Sequence, residues 1–183
     1  MKVGTKSLLF GVHQVIVHPI CVAIAWTRLF GFPKDPRIWI AFIVHDWGYW
    51  SKPNMDGKEG ETHVELGARI MHRLFDRKPL RTKFGREQII ITGGTYYWYN
   101  FTLFHSRFYA KKHNHKISKL CIADKAAFMV LPKRMYIMLA SWSGEINEYM
   151  TEGRSSTIWT SKSDWYNHVY EYMTNWIKEN NKF

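Results

Sequence analysis

The segment Ile38-Trp39-Ile40-Ala41-Phe42-Ile43-Val44-His45-Asp46-Trp47-Gly48-Tyr49 runs from an apolar stretch straight into an adjacent histidine and aspartate. An imidazole and a carboxylate next to each other in sequence can turn toward one ion only where the backbone bends or a helix ends between them. Gly48 supplies a permissive backbone for that bend. Taken alone, His45-Asp46 reads as a hydrogen-bonded structural pair ahead of a metal site. Its reading therefore depends on further ligands elsewhere in the chain.

Upstream, Gly31-Phe32-Pro33-Lys34-Asp35-Pro36 is a turn, and Asp35-Pro36 provides the cap and first residue of a buried helix over residues 37–45. Residues 6–17 are apolar at helical spacing and lead into His18-Pro19. Proline fits the first position of a helix, so either a new helix covers residues 19–30 or a continuous one kinks at Pro19. Both place His18 at a break. Downstream, residues 50–60 form a turn-rich loop. Thr62 and Glu65 have the spacing of a capping box that opens a helix reaching residue 75, with Val64, Leu66, Ile70, Met71 and Leu74 on one side.

A helix is expected over residues 82–92, ending at Gly93-Gly94. Residues 95–112 are rich in aromatics and have strand propensity, but their length and neighbours fit helix. Ser118 opens a helix over residues 119–131 in which Leu120, Ala123, Ala127 and Val130 repeat at three- and four-residue steps, and Asp124 lies inside it. Pro132 ends that helix, another follows over residues 133–143, and residues 144–150 continue as helix or turn. A polar loop over residues 153–160 precedes a last helix, capped by Ser163-Asp164 and ending near residue 178. The pattern predicts an all-α protein.

With 183 residues, 46% hydrophobic and 16% aromatic, the chain is sized for one domain with a real core. Cys21 and Cys121 make no disulfide framework, which points to a reducing cytoplasm. No signal peptide and no apolar run long enough for a transmembrane helix is evident. The net charge of +11, concentrated in residues 69–86 and 107–119, favours anionic partners such as phosphorylated small molecules, nucleic acid or anionic lipid.

Four residues stand at helix ends or inside apolar helices: His18, His45, Asp46 and Asp124. Their order resembles the HD-domain superfamily of metal-dependent phosphohydrolases. His18-Pro-Ile-Cys-Val-Ala-Ile-Ala is similar to that family's first helix, and Ser118-Lys-Leu-Cys-Ile-Ala-Asp124-Lys to its closing helix, whose Ala-Asp pair provides the last ligand. His63-Val-Glu-Leu-Gly67-Ala68 resembles a His-x-x-x-Gly-Ala helix of members with a two-metal site, and His105 stands where those members carry another ligand.

The resemblance covers residues 13–128 and implies a single compact helical HD-type domain over residues 1–183. The metal site would lie between the central helices, and residues 129–183 would form a helical extension. It also implies that His18, His45, Asp46 and Asp124 hold one ion while Asp46, His63 and His105 hold a second, with Asp46 as the bridge. Nitrogen and carboxylate ligands without thiolate suit Mn, Fe, Co, Ni or Zn, with Mg admissible. Such a centre can clamp a phosphoryl group and ionise a water at neutral pH.

Tyr49 stands where cyclic-dinucleotide phosphodiesterases of the family carry lysine, and the catalytic glutamate of the deoxynucleoside monophosphatases is missing, with Asn54 near its partner's place. The overall pattern is nearest to the branch that cleaves dinucleoside tetraphosphates, without its specificity loops.

The expected function is hydrolysis of a phosphoester or phosphoanhydride in a small phosphorylated molecule, a nucleotide by preference. The rival readings are a catalytically silent nucleic-acid-binding or regulatory module and an HD-like di-iron oxygenase. Lys52 is a phosphate-clamp candidate. Arg107 and Lys111 either bind phosphate or form a solvated cationic face with Lys112. Glu65 either orients a water or completes the capping box. Tyr49, Trp50 and the aromatics at 96–99 either stack on a base or belong to the core. His13 reads as a core residue or one just behind the ligands, and His72, His113, His115 and His168 as surface histidines.

Overall fold

The computed structural model describes residues 1–76, 96–151 and 159–181. Within them every regular element is helical: α1 (Val3–Phe10), α2 (Val17–Phe30), α3 (Pro36–Val44), α4 (Val64–Phe75), α5 (Tyr97–Leu103), α6 (Arg107–Lys112), α7 (Lys119–Ala127), α8 (Lys133–Ser143), α9 (Glu145–Thr151) and α10 (Lys162–Asn180). Short 3-10 turns at Trp47–Tyr49 and Gly60–His63 flank the loop between α3 and α4. The all-α expectation is met. The helix expected over residues 82–92 and most of the loop at 153–160 lie outside the described residues. No helix among the described residues is long and apolar enough to cross a membrane.

The central core is built by α2, α3, α4 and α7. Val22 and Trp26 of α2, Phe42 of α3, Met71 of α4, and Leu120 and Ile122 of α7 are all buried there. Helices α2 and α7 pack against each other with small buried residues on both (Ala23, Ala25, Ala123, Ala126), and α5 lies along α4. A separate cluster joins Val12, which follows α1, to Tyr136 and Ala140 of α8, Ile146 of α9 and Trp165 of α10. The C-terminal third is therefore packed against the N-terminal segment.

The boundaries that differ from expectation have tertiary causes. Helix α1 stops at Phe10 instead of running to residue 17, because the next turn is captured from afar: the Val12 N–H donates to the buried Glu145 carboxylate at 3.0 Å. Helix α2 then starts at Val17, two residues before Pro19, and its first N–H groups are satisfied by Gln14, whose side-chain oxygen accepts from Ile16 and Val17. His18 thus lies in the first turn, not before it. Asp35 caps α3 as expected, accepting from the Arg37 N–H.

The Thr62–Glu65 capping box does not form. The chain is already helical from Gly60, the Thr62 hydroxyl donates to the Glu59 carbonyl, and Glu65 bonds Tyr109 and Arg69. The buried face of α4 is Val64, Gly67, Ala68, Met71 and His72, while Leu66 and Leu74 are exposed. The cause is close packing: a Cβ on Gly67 would sit 2.6 Å from the Val44 carbonyl oxygen, so α4 turns its small residues to α3.

His72, expected at the surface, is buried with them, where its Nδ1 lies 3.2 Å from Asp76. Residues 97–112 form two helices, and Tyr96, Trp98 and Tyr99 are core residues. Helix α7 ends at Ala127 and gives way to turn at 128–130, whereas α8 matches its expected bounds. Ser161, not Ser163, caps α10 by accepting from the Asp164 N–H.

Candidate metal centre

Five chain segments converge on one point. His18 comes from the first turn of α2, His45 from the C-cap of α3 with Asp46 just beyond it, and His63 from the end of the second 3-10 turn. His105 follows α5, and Asp124 lies within α7. All six side chains are buried. Helix α3 ends at Val44 with His45 as its C-cap, and Asp46 opens the following 3-10 turn, so a helix end does fall at the pair.

Gly48 contributes differently from expectation. No positive φ is recorded for it, and the residue is needed because the turn presses against the His63 backbone, where a Cβ would meet the His63 carbonyl oxygen at 1.8 Å.

The ligand atoms form two groups that share Asp46. In the first, His18 Nε2 lies 3.2 Å from Asp46 Oδ2 and 3.1 Å from Asp124 Oδ1, and His45 Nε2 lies 3.3 Å from Asp46 Oδ2 and 3.7 Å from Asp124 Oδ1. In the second, the Nε2 atoms of His63 and His105 each lie 3.5 Å from Asp46 Oδ1. One carboxylate oxygen faces each group. The potential donor sets are thus His18, His45, Asp46 and Asp124 on one side and Asp46, His63 and His105 on the other.

The chemistry of this cluster fits a cation. The Nδ1 atoms of His45, His63 and His105 approach the carbonyl oxygens of Phe42, Gly60 and Thr102 at 2.9, 2.7 and 2.5 Å. Carbonyl oxygen only accepts, so each Nδ1 carries a hydrogen and each Nε2 turns inward, with a lone pair to offer a metal ion whenever the ring is neutral. The Nε2 atoms of His63 and His105 face each other at 3.2 Å, and those of His18 and His45 at 3.3 Å. Asp46 Oδ2 is buried without a hydrogen bond of acceptable geometry, even though two histidine nitrogens lie near it. Lone pairs and carboxylates gathered away from water repel unless a proton or a metal ion lies between them.

The titration behaviour points the same way. Burial works against a charge on His45, yet Asp46 and Asp124 raise its pKa to about 10. Burial opposes ionisation of Asp46 too, and its histidine neighbours, His45 foremost, hold the carboxyl well below the usual range. Asp124 is likewise held well below that range, against its burial, chiefly by the Lys125 ammonium. Burial drives the His63 pKa well down, leaving that ring neutral.

The other candidate residues are placed as follows. Tyr49 is buried and stacks flat on His63, with ring centroids 3.9 Å apart and planes 10° off parallel. Lys52 donates to the Thr62 hydroxyl, one residue from His63. Glu65 is taken up by Tyr109 at 2.7 Å and Arg69 at 2.9 Å, and so neither caps the helix nor bonds a ligand of the cluster. Arg107 turns toward α10, where it donates to the Tyr172 hydroxyl and lies over Trp176. Lys111 is exposed on α6.

Three contributions, from Lys125, Glu145 and Glu61, had no clear signal in the sequence. Lys125 places its ammonium 2.9 Å from Asp124 Oδ2, and the neighbouring Asp-Lys pair was the only hint of it. His13 Nδ1 lies 2.8 Å from Glu145 while its ring sits 5.1 Å from that of His18, which places it behind the ligands as expected. Glu145 also accepts from Ser143 and Tyr149, and nothing local marks it. Glu61 accepts from Ser106, next to His105.

Fold and site together define an all-helical protein with a buried histidine-aspartate cluster able to hold metal. No protein-family model, no curated protein and no solved structure matches this chain.

Proposed function

We propose that this protein is a metal-dependent phosphohydrolase of HD type that cleaves a phosphoester or phosphoanhydride bond in a small phosphorylated molecule, a nucleotide by preference. The observation that carries the reading is Asp46, whose two carboxylate oxygens face separate groups of inward-pointing imidazoles. One or two divalent ions held by His18, His45, Asp46, His63, His105 and Asp124 would withdraw charge from a phosphoryl oxygen and acidify a water.

The protein's own groups do the rest. Backbone carbonyls fix the tautomers of His45, His63 and His105, and Tyr49 holds the plane of His63 by stacking on it. Lys125 and Lys52 bring positive charge to the two sides of the cluster, where it can draw phosphate oxygens and stabilise charge that develops on them. His13, backed by Glu145, stands beside His18 as the neighbouring group with a nitrogen to offer a substrate oxygen. The absence of thiolate in the cluster leaves Mn, Fe, Co, Ni, Zn and Mg as the ions to test.

The test is a screen of nucleotides and simple phosphoesters against the purified protein with each metal supplied in turn, alongside Asp46→Ala. The substitution should abolish bound metal and hydrolysis together. An Asp46→Ala protein that keeps both overturns the assignment. Oxygen consumption without phosphate release, in protein purified anaerobically with iron, would favour an oxygenase instead.

A further inference from the structure

We propose that the outer surface of α6 and the loop that follows it form a binding surface for single-stranded nucleic acid, separate from the metal cluster. The chain carries no Asp or Glu at any position from 88 to 123, while Arg107, Lys111, Lys112, Lys116 and Lys119 fall within that interval. Helix α6 buries Tyr109 and Ala110 and exposes Phe108, Lys111 and Lys112.

The loop beyond it is pinned. Asn114 takes a left-handed turn (φ 49°), the His115 N–H returns to the Ala110 carbonyl at 2.9 Å, and the Ser118 N–H to that of Phe104 at 3.0 Å. The His115 ring stacks on Phe104 with centroids 4.0 Å apart, which fixes the loop to the core. Lys116 and Lys119 are exposed on this ordered segment. The backbone that carries these cations is therefore anchored to the core.

Aromatic rings stand among these charges. Phe108 is 42% exposed. Arg107 reaches α10, where Tyr172 is 49% exposed, and this contact carries a second ring to the border of the basic surface. Glu65 is engaged with Arg69 and Tyr109, and Glu61 accepts from Ser106.

Cations that follow a phosphate backbone, interleaved with exposed rings on which bases can stack, suit a single strand, whose bases are free to leave the helical stack. An anionic membrane is a poorer fit. Lipid surfaces are gripped by long amphipathic helices with a continuous apolar face, and α6 spans six residues.

The test is fluorescence anisotropy with labelled oligo-dT of roughly 20 nucleotides, a site long enough to cover one domain, measured over a salt series without added divalent metal. Four or five phosphate contacts predict a slope of log affinity against log salt of about −3. The triple variant Lys111→Glu, Lys112→Glu, Lys116→Glu should weaken binding at least ~10-fold and flatten the slope by about 2, with circular dichroism and metal content unchanged. Phe108→Ala should weaken binding several-fold without altering the slope.

No binding at low salt, or unchanged binding by the triple variant, overturns the proposal. So does equal binding of heparin and of anionic vesicles with no effect of Phe108→Ala. None of these readouts requires hydrolysis, so failure here and failure of the phosphohydrolase reading are separately visible.

Discussion

Gly48 shows how one residue can carry the geometry of a whole site. The His45-Asp46 corner and the His63 turn belong to different segments, and they approach so closely that a Cβ at position 48 would overlap the His63 carbonyl oxygen at 1.8 Å. Backbone atoms cannot swing aside as a flexible side chain can, so Gly48→Ala must separate the two segments. We expect a loss of about 3 kcal/mol in stability, at the upper end of the cost of overpacking, and a fall in bound metal. Urea denaturation and metal analysis on the same preparation would check both, and a native-like midpoint with full metal content would contradict them. Tyr49 illustrates the limit of reading residues singly. Its aromatic character allowed base stacking or core, and the structure shows a ring stacked on His63.

The helices divide the work between holding ligands and holding the helices that carry them. Helices α2 and α7 pack against each other, and this brings His18 within 3.1 Å of Asp124. The C-terminal helices reach the site indirectly. Glu145, at the start of α9, binds the Val12 N–H and His13, and Glu148 of the same helix accepts from the Met55 N–H in the loop after Asp46. One short helix therefore fixes both the turn before His18 and the loop beyond Tyr49. Glu145 is fully buried, and all its partners are donors, so its removal leaves several of them unsatisfied. Glu145→Ala should cost about 3 kcal/mol or more, with Glu145→Gln intermediate.

Burial opposes ionisation of Glu145, but His13 together with the Ser143 hydroxyl and the Val12 N–H lowers the native pKa below the unfolded value. The contribution is thus present above the unfolded pKa and is lost as pH falls through the native one. Unfolding curves at neutral and acidic pH should show the gap between wild type and Glu145→Ala narrowing on acidification. A gap that does not change with pH would contradict the ionised state assigned to Glu145.

Over the whole molecule, both cysteines lie in the central core on helices that face each other, and burial raises the pKa of each thiol, Cys121 to about 12. The reactive thiolate is then scarce at moderate pH, and the sulfurs are covered. Labelling with a thiol reagent near pH 8 should modify neither cysteine in the native protein and both after denaturation. Rapid labelling of native Cys121 would show that the core opens far more readily than its packing implies.

The helical class was legible in the chain because apolar spacing near 3.6 residues, the Asp35-Pro36 start and the Ser118 cap are local signals that act through nearby backbone. The cluster's members were legible as well, though only by likeness for His63 and His105, since acid and imidazole residues at helix breaks inside apolar runs are conspicuous. What stayed hidden were relations across long stretches of chain. They include Val12 with Glu145, 133 positions apart, the rotation of α4 that buries His72, and the engagement of Glu65 by Tyr109. Periodicity records which side of a helix is apolar. It carries no record of which distant group will meet that side, and that pairing is settled only when close packing and the need to satisfy every buried polar atom act on all the helices at once.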